Sequence, residues 1–295
     1  MSRDKFKSGF VNIIGNPNTG KSTLMNALTG SNLSIITSKA QTTRHRILGI
    51  LNGEDFQIVF SDTPGILKPR YKLQESMLRA SASALEDADI LVVLTTPEDD
   101  TLDRDEFFSG ILGCTAHKIV AVNKIDLSSQ PEVEAIIERW KRLIPDAVVM
   151  PVSAKHDFNL ALLLETIIEK LPEGHPFFPE DQLSDKFERF FASEIIREKI
   201  LMNYREEVPY SVEVEIESFS EEPGLIRISA LIHVERESQK GIIIGHRGEM
   251  LKRTGTMARI SLEDFLGKKV FLEMRVRVSH DWRQKQRLLK QFGYQ

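Results

Sequence analysis

A chain of 295 residues has length for two hydrophobic cores, and 41% hydrophobic with 28% charged side chains is ordinary for a globular protein. The single cysteine, Cys114, excludes an internal disulfide framework, and no apolar run approaches the roughly 18 residues of a membrane span. Residues 1–9 lack the apolar core of a signal peptide, so a cytoplasmic location is expected. The net charge of −4 hides a split. Residues 173–239 carry 7 basic and 16 acidic side chains, while residues 240–295 carry 13 basic and 5 acidic ones. A basic block on an acidic chain is the pattern of a polyanion site or of a solvated basic face.

In chain order, the apolar run 10–14 predicts a buried strand. It leads into Gly15-Asn16-Pro17-Asn18-Thr19-Gly20-Lys21-Ser22-Thr23, the pattern G-x-x-x-x-G-K-S, and then into an aliphatic helix over 24–28. Strand, glycine-bounded loop and helix together make a phosphate cradle. Backbone N–H groups turn inward and the helix N-terminus adds partial positive charge. Lys21 is expected to bridge the β- and γ-phosphates, with its charge in solvent when the site is empty, and the Ser22 hydroxyl to ligate Mg²⁺.

The stretch 35–46 is polar without periodicity. A hairpin follows, with strands at 47–51 and 56–60 joined by the turn Asn52-Gly53. Its second strand ends in Asp62-Thr63-Pro64-Gly65. An acidic residue at that strand end, downstream of a phosphate loop, is expected to reach Mg²⁺ through water, and the Gly65 amide to meet the γ-phosphate. Helices at 74–85, 103–112, 132–143 and 160–171 then alternate with strands at 90–94, 119–122 and 148–152. This order predicts an α/β fold with a mainly parallel sheet covered on both faces and a ligand at the C-terminal strand ends.

Two further motifs fall at those ends. In Asn123-Lys124-Ile125-Asp126 the carboxylate suits the N1–H and exocyclic amine of guanine. Adenine offers no donors there and leaves the carboxylate unpaired. Asn123 is expected to brace the loop and the base edge, and the Lys124 stem to cover the ring. In Ser153-Ala154-Lys155 the Ala154 amide is expected at guanine O6.

With these motifs in this order, residues from about 7 to 172 resemble a translation-factor-class GTPase domain. With Gln41-Thr42-Thr43-Arg44-His45-Arg46-Ile47, they are most similar to the Era family of bacterial ribosome-assembly GTPases. The resemblance implies binding and hydrolysis of GTP to GDP with Mg²⁺, a metal-binding switch threonine at Thr43 (Thr42 being the alternative), catalytic parts for Lys21, Thr43 and Gly65, and switch loops at about 35–45 and 65–79. Ile66 departs from the Gln that orients water in Ras-like GTPases, so slow intrinsic hydrolysis is expected. Asn18 is a candidate K⁺ holder by the same resemblance, or loop bracing only.

Proline and glycine between 171 and 179 mark a linker over 173–183, between domains at 1–172 and 184–295. Phe177 and Phe178 are expected to pin it to a domain. The second domain reads as a helix from about 184 to 203 capped by Ser184 or Asp185, and strands at 212–216 and 226–234. A short helix then ends in Ile242-Ile243-Ile244, followed by the loop Gly245-His246-Arg247-Gly248 and a helix over 249–266. A strand at 270–278 and a basic helix over 281–292 close the chain. That order resembles an α+β type II KH domain, with G-H-R-G as its G-x-x-G loop. Glycines there let a nucleic-acid backbone approach while basic side chains face phosphates. The RNA-binding set is Ile244, Gly245, His246, Arg247, Gly248, Lys252 and Arg253, beside an apolar base groove around 242–244 and Ile228.

The Era family joins the two domains in this order. The resemblance therefore implies binding near the 3′ end of 16S ribosomal RNA on the 30S subunit precursor, as a monomer. Peripheral contact with the inner membrane face stays open. So do two other readings, an RNA-docking scaffold with structural GTP and a tRNA-modifying GTPase.

Overall fold

A computed structural model describes residues 6–39, 41–98, 102 and 106–294. The chain forms two compact units. The first takes Met1–Ser34, Thr43–Pro69 and Gln74–Asp185; the second takes Ile35–Thr42, Arg70–Leu73 and Lys186–Gln295.

The first unit is a six-stranded sheet: β1 (Lys7–Ile14), β2 (Ile47–Asn52), β3 (Phe56–Asp62), β4 (Ile90–Thr95), β5 (His117–Val122) and β6 (Val148–Pro151), in the order β2-β3-β1-β4-β5-β6. β2 runs antiparallel to its neighbour, and the other pairs are parallel. The strands are Val- and Ile-rich, and β4 is buried along its whole length because helices cover both faces. Those helices are α1 (Lys21–Thr29), α2 (Lys72–Glu86), α3 (Phe107–Gly113), α4 (Gln130–Leu143) and α5 (Leu160–Lys170). The expected helix over 103–112 is α3, and its positions 103–105 lie outside the described residues. β1 is flanked by β3 on one side and β4 on the other, so its C-terminal end is the switch point where such sheets bind ligands.

Residues 173–185 pack with this unit. Ser8 Oγ donates to the His175 carbonyl (2.8 Å), the Phe177 amide donates to Gln57 Oε1 (2.6 Å), and the Phe10 and Phe177 rings meet at 4.9 Å. Ser184 and Asp185 are not helix caps. Ser184 Oγ donates to the Leu48 carbonyl (2.6 Å), the Leu48 amide donates to Asp185 Oδ1 (3.1 Å), and the Ile50 amide donates to the Leu183 carbonyl (2.9 Å). The cause is that β2 is the sheet's edge, whose backbone groups need partners.

The second unit carries α6 (Glu188–Asn203), β7 (Glu213–Glu222), β8 (Leu225–Val234), α7 (Glu237–Ile244), α8 (Glu249–Leu266), β9 (Lys269–Val278) and α9 (Gln286–Gln291). β7 pairs antiparallel and β9 parallel to the central β8. Alternation sends Ile226, Ile228, Ala230 and Ile232 inward against Ala192, Ile196, Ile243, Ala258 and Leu262 of the helices. The basic helix expected over 281–292 is shorter, because Lys285 is extended (φ −95°, ψ 105°) and separates a 3₁₀ turn at Trp282–Gln284 from α9. Trp282 is fully buried with Nε1 donating to the Ser211 carbonyl (2.8 Å), and this anchors the C-terminal segment on the 3₁₀ turn that precedes β7. No helix among the described residues is long and apolar enough to cross a membrane.

Candidate nucleotide and nucleic-acid sites

The glycine-rich loop leaves β1 at Gly15 and enters α1 at Lys21. Gly20 takes φ 100°, and a Cβ there would stand 2.4 Å from Asn123 Nδ2, so only glycine fits the approach of the two loops. Lys21 is buried, not solvated as expected: its ammonium donates to the Gly15 carbonyl (3.0 Å) and the Asn16 carbonyl (2.8 Å), holding the loop curled. Thr19 Oγ1 donates to the Asn16 carbonyl (3.0 Å). Asn18 is exposed with left-handed backbone (φ 65°), and Pro17 and Thr23 flank the curl half-buried.

Below the loop three polar side chains converge. Ser22 Oγ donates to Asp62 Oδ2 (2.6 Å), Thr43 Oγ1 donates to the same oxygen (3.1 Å), and the two hydroxyls lie 2.9 Å apart. Asp62 is fully buried, and Oδ1 has no well-formed hydrogen bond among the described residues, nor has the nearby Ser34 hydroxyl. Burial pushes the Asp62 carboxyl above its ordinary range, against the pull of Ser22 and Lys21. A buried carboxylate beside the hydroxyls of Ser22 and Thr43, with Ser34 also acting on it, is a hard-cation donor set. Mg²⁺ uses few protein oxygens and takes the rest from phosphates and water, so Ser22, Thr43 and Asp62 fit it. Of the two adjacent threonines, Thr43 is the one in this cluster; Thr42 Oγ1 donates instead to the Lys39 carbonyl (2.6 Å).

Thr63 Oγ1 donates to the Ile13 carbonyl (2.8 Å) and Pro64 is buried, so the turn after β3 lies against β1. Gly65 is half-buried, and the Ile66 amide donates to the Gly15 carbonyl (3.2 Å). The Ile66 side chain points into the apolar cluster of Ile14, Leu91, Val93 and Val122 and offers nothing to a water molecule.

The base motifs are joined through one side chain. Asn123 Nδ2 donates to the Thr19 carbonyl (2.8 Å), and its Oδ1 accepts from the Ala154 amide (2.9 Å). The Ala154 amide, expected at guanine O6, is here engaged by Asn123. Ser153 Oγ donates to Asp126 Oδ1 (2.6 Å), and this bond holds the Asp126 carboxyl below its ordinary range. Lys124 has left-handed backbone (φ 60°), and Lys155 is exposed on the following turn. His156 Nε2 lies 3.6 Å from Asp126 Oδ2, a neighbour that the motif pattern does not include.

In the second unit Ile244 ends α7, and Gly245 (φ 72°) turns the chain so tightly that a Cβ would meet Met250 Cβ at 2.7 Å. His246 and Arg247 project into solvent, Gly248 caps the N-terminus of α8, and Lys252 and Arg253 are exposed on its first turns. Of the residues expected to line the apolar groove, Ile242 is exposed and Ile244 half-buried at the end of α7. Ile228 and Ile243 are sealed in the core, because β8 is the central strand and α7 lies on it. The open cleft, about 350 Å³, runs instead between α8 and edge strand β9, lined by Leu251, Lys252, Gly255, Arg259, Leu272 and Met274. Its signal in the sequence was the small residue Gly255 facing the β9 alternation; the edge position of β9 could not be read.

Comparison with known proteins matches residues 10–124 to a family described as 50S ribosome-binding GTPase, and residues 207–283 to the KH domain. A GTPase Era from Geotalea daltonii is 44% identical over 297 residues, covering 100% of both chains. One from Clostridium kluyveri is 43% identical over 290 residues, covering 98% of this chain and 99% of that one. Two solved structures superpose with TM-scores of 0.94 at 41% identity, covering 98% of this chain and 99% of each. They are Era in complex with MgGDPNP and nucleotides 1506–1542 of 16S ribosomal RNA, and a point variant of Aquifex aeolicus Era bound to GDP·AlF4⁻.

Proposed function

The chain belongs to the GTPase Era family, and we propose that it hydrolyses GTP at the loop between β1 and α1 while its second unit holds the 3′ end of 16S ribosomal RNA during small-subunit assembly. The observation that carries the nucleotide half is the convergence of Ser22, Thr43 and the buried Asp62 carboxylate on one point beneath Lys21. Mg²⁺ held there supplies charge neutralisation at the phosphate oxygens.

The residues of the chain do the rest. Lys21 exchanges its carbonyl partners for phosphate oxygens, and the Gly65 amide faces the terminal phosphate. Asp126 accepts from guanine, with Ser153 steadying it and Asn123 locking the two base loops to the phosphate loop. Gly15, Asn16, Pro17, Asn18, Thr19, Gly20 and Thr23 form the cradle; Lys124, Ala154 and Lys155 border the base. Because Ile66 is buried, no side chain at that position orients water, and intrinsic turnover is slow. Asn18, exposed on the rim, is the candidate for holding K⁺ as an added positive charge, loop bracing being its alternative role.

For RNA, the α8–β9 cleft takes unstacked bases while His246, Arg247, Lys252 and Arg253 follow the phosphates of a single strand. The reduced Cys114 fits action in the cytoplasm. Phosphate release measured with and without a 16S 3′-end oligoribonucleotide tests the whole reading. Stimulation supports an RNA-regulated GTPase; tight RNA binding with turnover unchanged makes the nucleotide structural.

A further inference from the structure

The chain leaves α1 in a way that the helix alone does not need. Gly30 (φ 64°) already closes α1, its amide donating to the Asn26 carbonyl. Yet the Asn26 side chain, buried on the helix, makes three further bonds to the residues that follow. Its Oδ1 accepts from the Leu33 amide (3.1 Å) and the Ser34 amide (2.9 Å), and its Nδ2 donates to the Ser34 carbonyl (2.7 Å). Both backbone groups of Ser34 are thereby fixed to α1. Asn26 lies one turn after Ser22, on the same helix face.

What this clamp places is a hydroxyl. Ser34 is 4% exposed, and its Oγ finds no well-formed hydrogen bond among the described residues. A buried hydroxyl left so is costly, and alanine would fill the same place without the cost. The polar group that Ser34 does act on, as a donor, is the Asp62 carboxyl. Ser22 and Thr43 both give their hydroxyls to Oδ2 of that carboxyl, and Oδ1 has no well-formed bond among the described residues. The last torsion of an aspartate is broad and two-fold, so two donors on one oxygen leave the plane of the group loose. A third hydroxyl, anchored to the same helix as Ser22, fixes it.

We infer that Ser34, set by Asn26, is a positioning residue for Asp62: its hydroxyl holds the carboxylate turned toward the metal that Ser22 ligates. This rests on the metal role assigned above to Asp62. Ser22, Asn26, Ser34 and Asp62 all belong to the first unit, and Ser34 stands just before the loop expected to switch. Thr43 is on that loop, and a switch loop of this class is ordered by the γ-phosphate and Mg²⁺ and released on hydrolysis. Ser34 is tied to α1 instead, so it serves the diphosphate and the triphosphate alike.

The test measures affinities of the full-length protein for GDP and for a non-hydrolysable GTP analogue, each in excess Mg²⁺ and in EDTA. Wild type is compared with Ser34→Ala, Asn26→Ala and Asp62→Asn. The ratio of the two affinities is the gain that magnesium supplies. Expected for Ser34→Ala is a gain reduced about fivefold with both nucleotides, equivalent to roughly 1 kcal/mol, with affinities in EDTA at wild type. Asn26→Ala keeps the hydroxyl but frees the backbone that carries it, and should reduce the gain about twofold. Ser34→Ala removes one oxygen from a buried site and should melt as wild type does, so it decides the test even where Asn26→Ala misfolds. If Asp62→Asn lowers the gain while Ser34→Ala leaves it at wild type, the inference is overturned and the site reading stands. Equal losses in Mg²⁺ and in EDTA for Ser34→Ala overturn it too, because Ser34 then only shapes the loop after α1. If Asp62→Asn itself changes nothing, the metal role of Asp62 fails, and the inference with it.

Discussion

The nucleotide rim of the first unit is built inward and the cationic face of the second outward. At the rim, Lys21, Asn123, Ser153 and Asp62 are buried, and each already has protein partners at 2.6–3.0 Å, while Asp126 is exposed and held by Ser153. On the G-x-x-G face, His246, Arg247, Lys252 and Arg253 stand in solvent. The difference teaches how each site obtains selectivity. A hydrogen-bonding set that the ligand itself desolvates penalises the wrong ligand because its own groups are left unpaired. A solvated row of cations attracts any phosphate backbone and leaves discrimination to cleft shape and stacking.

The strongest way to break this comparison is at Lys21. Lys21→Ala removes the phosphate contact and the curl of the loop together, and turnover should fall by at least about 10²-fold while the sheet stays folded by circular dichroism. Turnover within a few-fold of wild type would take Lys21 off the phosphates. Next is Asp126→Asn, which presents a donor where guanine also presents donors. GTP affinity should drop by about 10²-fold and xanthosine triphosphate should become the better ligand. Retained GTP preference in a competition assay would remove Asp126 from the base.

Which parts of this contrast were legible in the sequence follows from the same physics. The phosphate loop, D-x-x-G and the base motifs are local patterns at strand ends, and the sheet that unites them follows from alternating helix and strand periods. Ser184 and Asp185 carried the residue types of a helix cap, yet the edge of β2 claimed them, and edge position is a property of strand order. Alternation told that Ile228 faces one side of its sheet but not that β8 is central, so the base groove was expected one strand away from the cleft at Leu272 and Met274.

Smaller effects sharpen the contrast on the RNA face. His246→Asp with Arg247→Asp should weaken binding of a 3′-end oligoribonucleotide about tenfold and flatten its salt dependence by roughly 0.7 in log–log slope per lost contact, with GDP affinity unmoved. An unchanged slope in filter binding would reduce Gly245–Gly248 to a turn.

The smallest expected effect is a pH dependence within the second unit. His233 is buried, with Glu215 Oε2 at 3.0 Å, Ser279 Oγ at 2.8 Å and the Phe292 ring at 4.8 Å, and Arg277 and Glu217 also face it. Burial lowers its pKa despite Glu215, so folding favours the neutral ring. That stabilising contribution is present above the unfolded pKa of about 6.5 and is lost as pH falls below it. His233→Gln should narrow the melting difference between neutral and mildly acidic buffer by about 2 °C; an identical difference in the variant would clear His233 of the role.

The central claim, a buried set for the nucleotide and a solvated set for RNA, is tested most directly by salt. Affinities of the wild-type protein for GDP at fixed Mg²⁺ and for the 16S 3′-end oligoribonucleotide would be titrated across the same range of monovalent salt. Desolvated contacts are screened little, whereas each exposed phosphate contact contributes roughly 0.7 to the log–log slope. The account predicts a steep line for RNA, of slope at least about 2, and a shallow one for GDP. Parallel lines would contradict it.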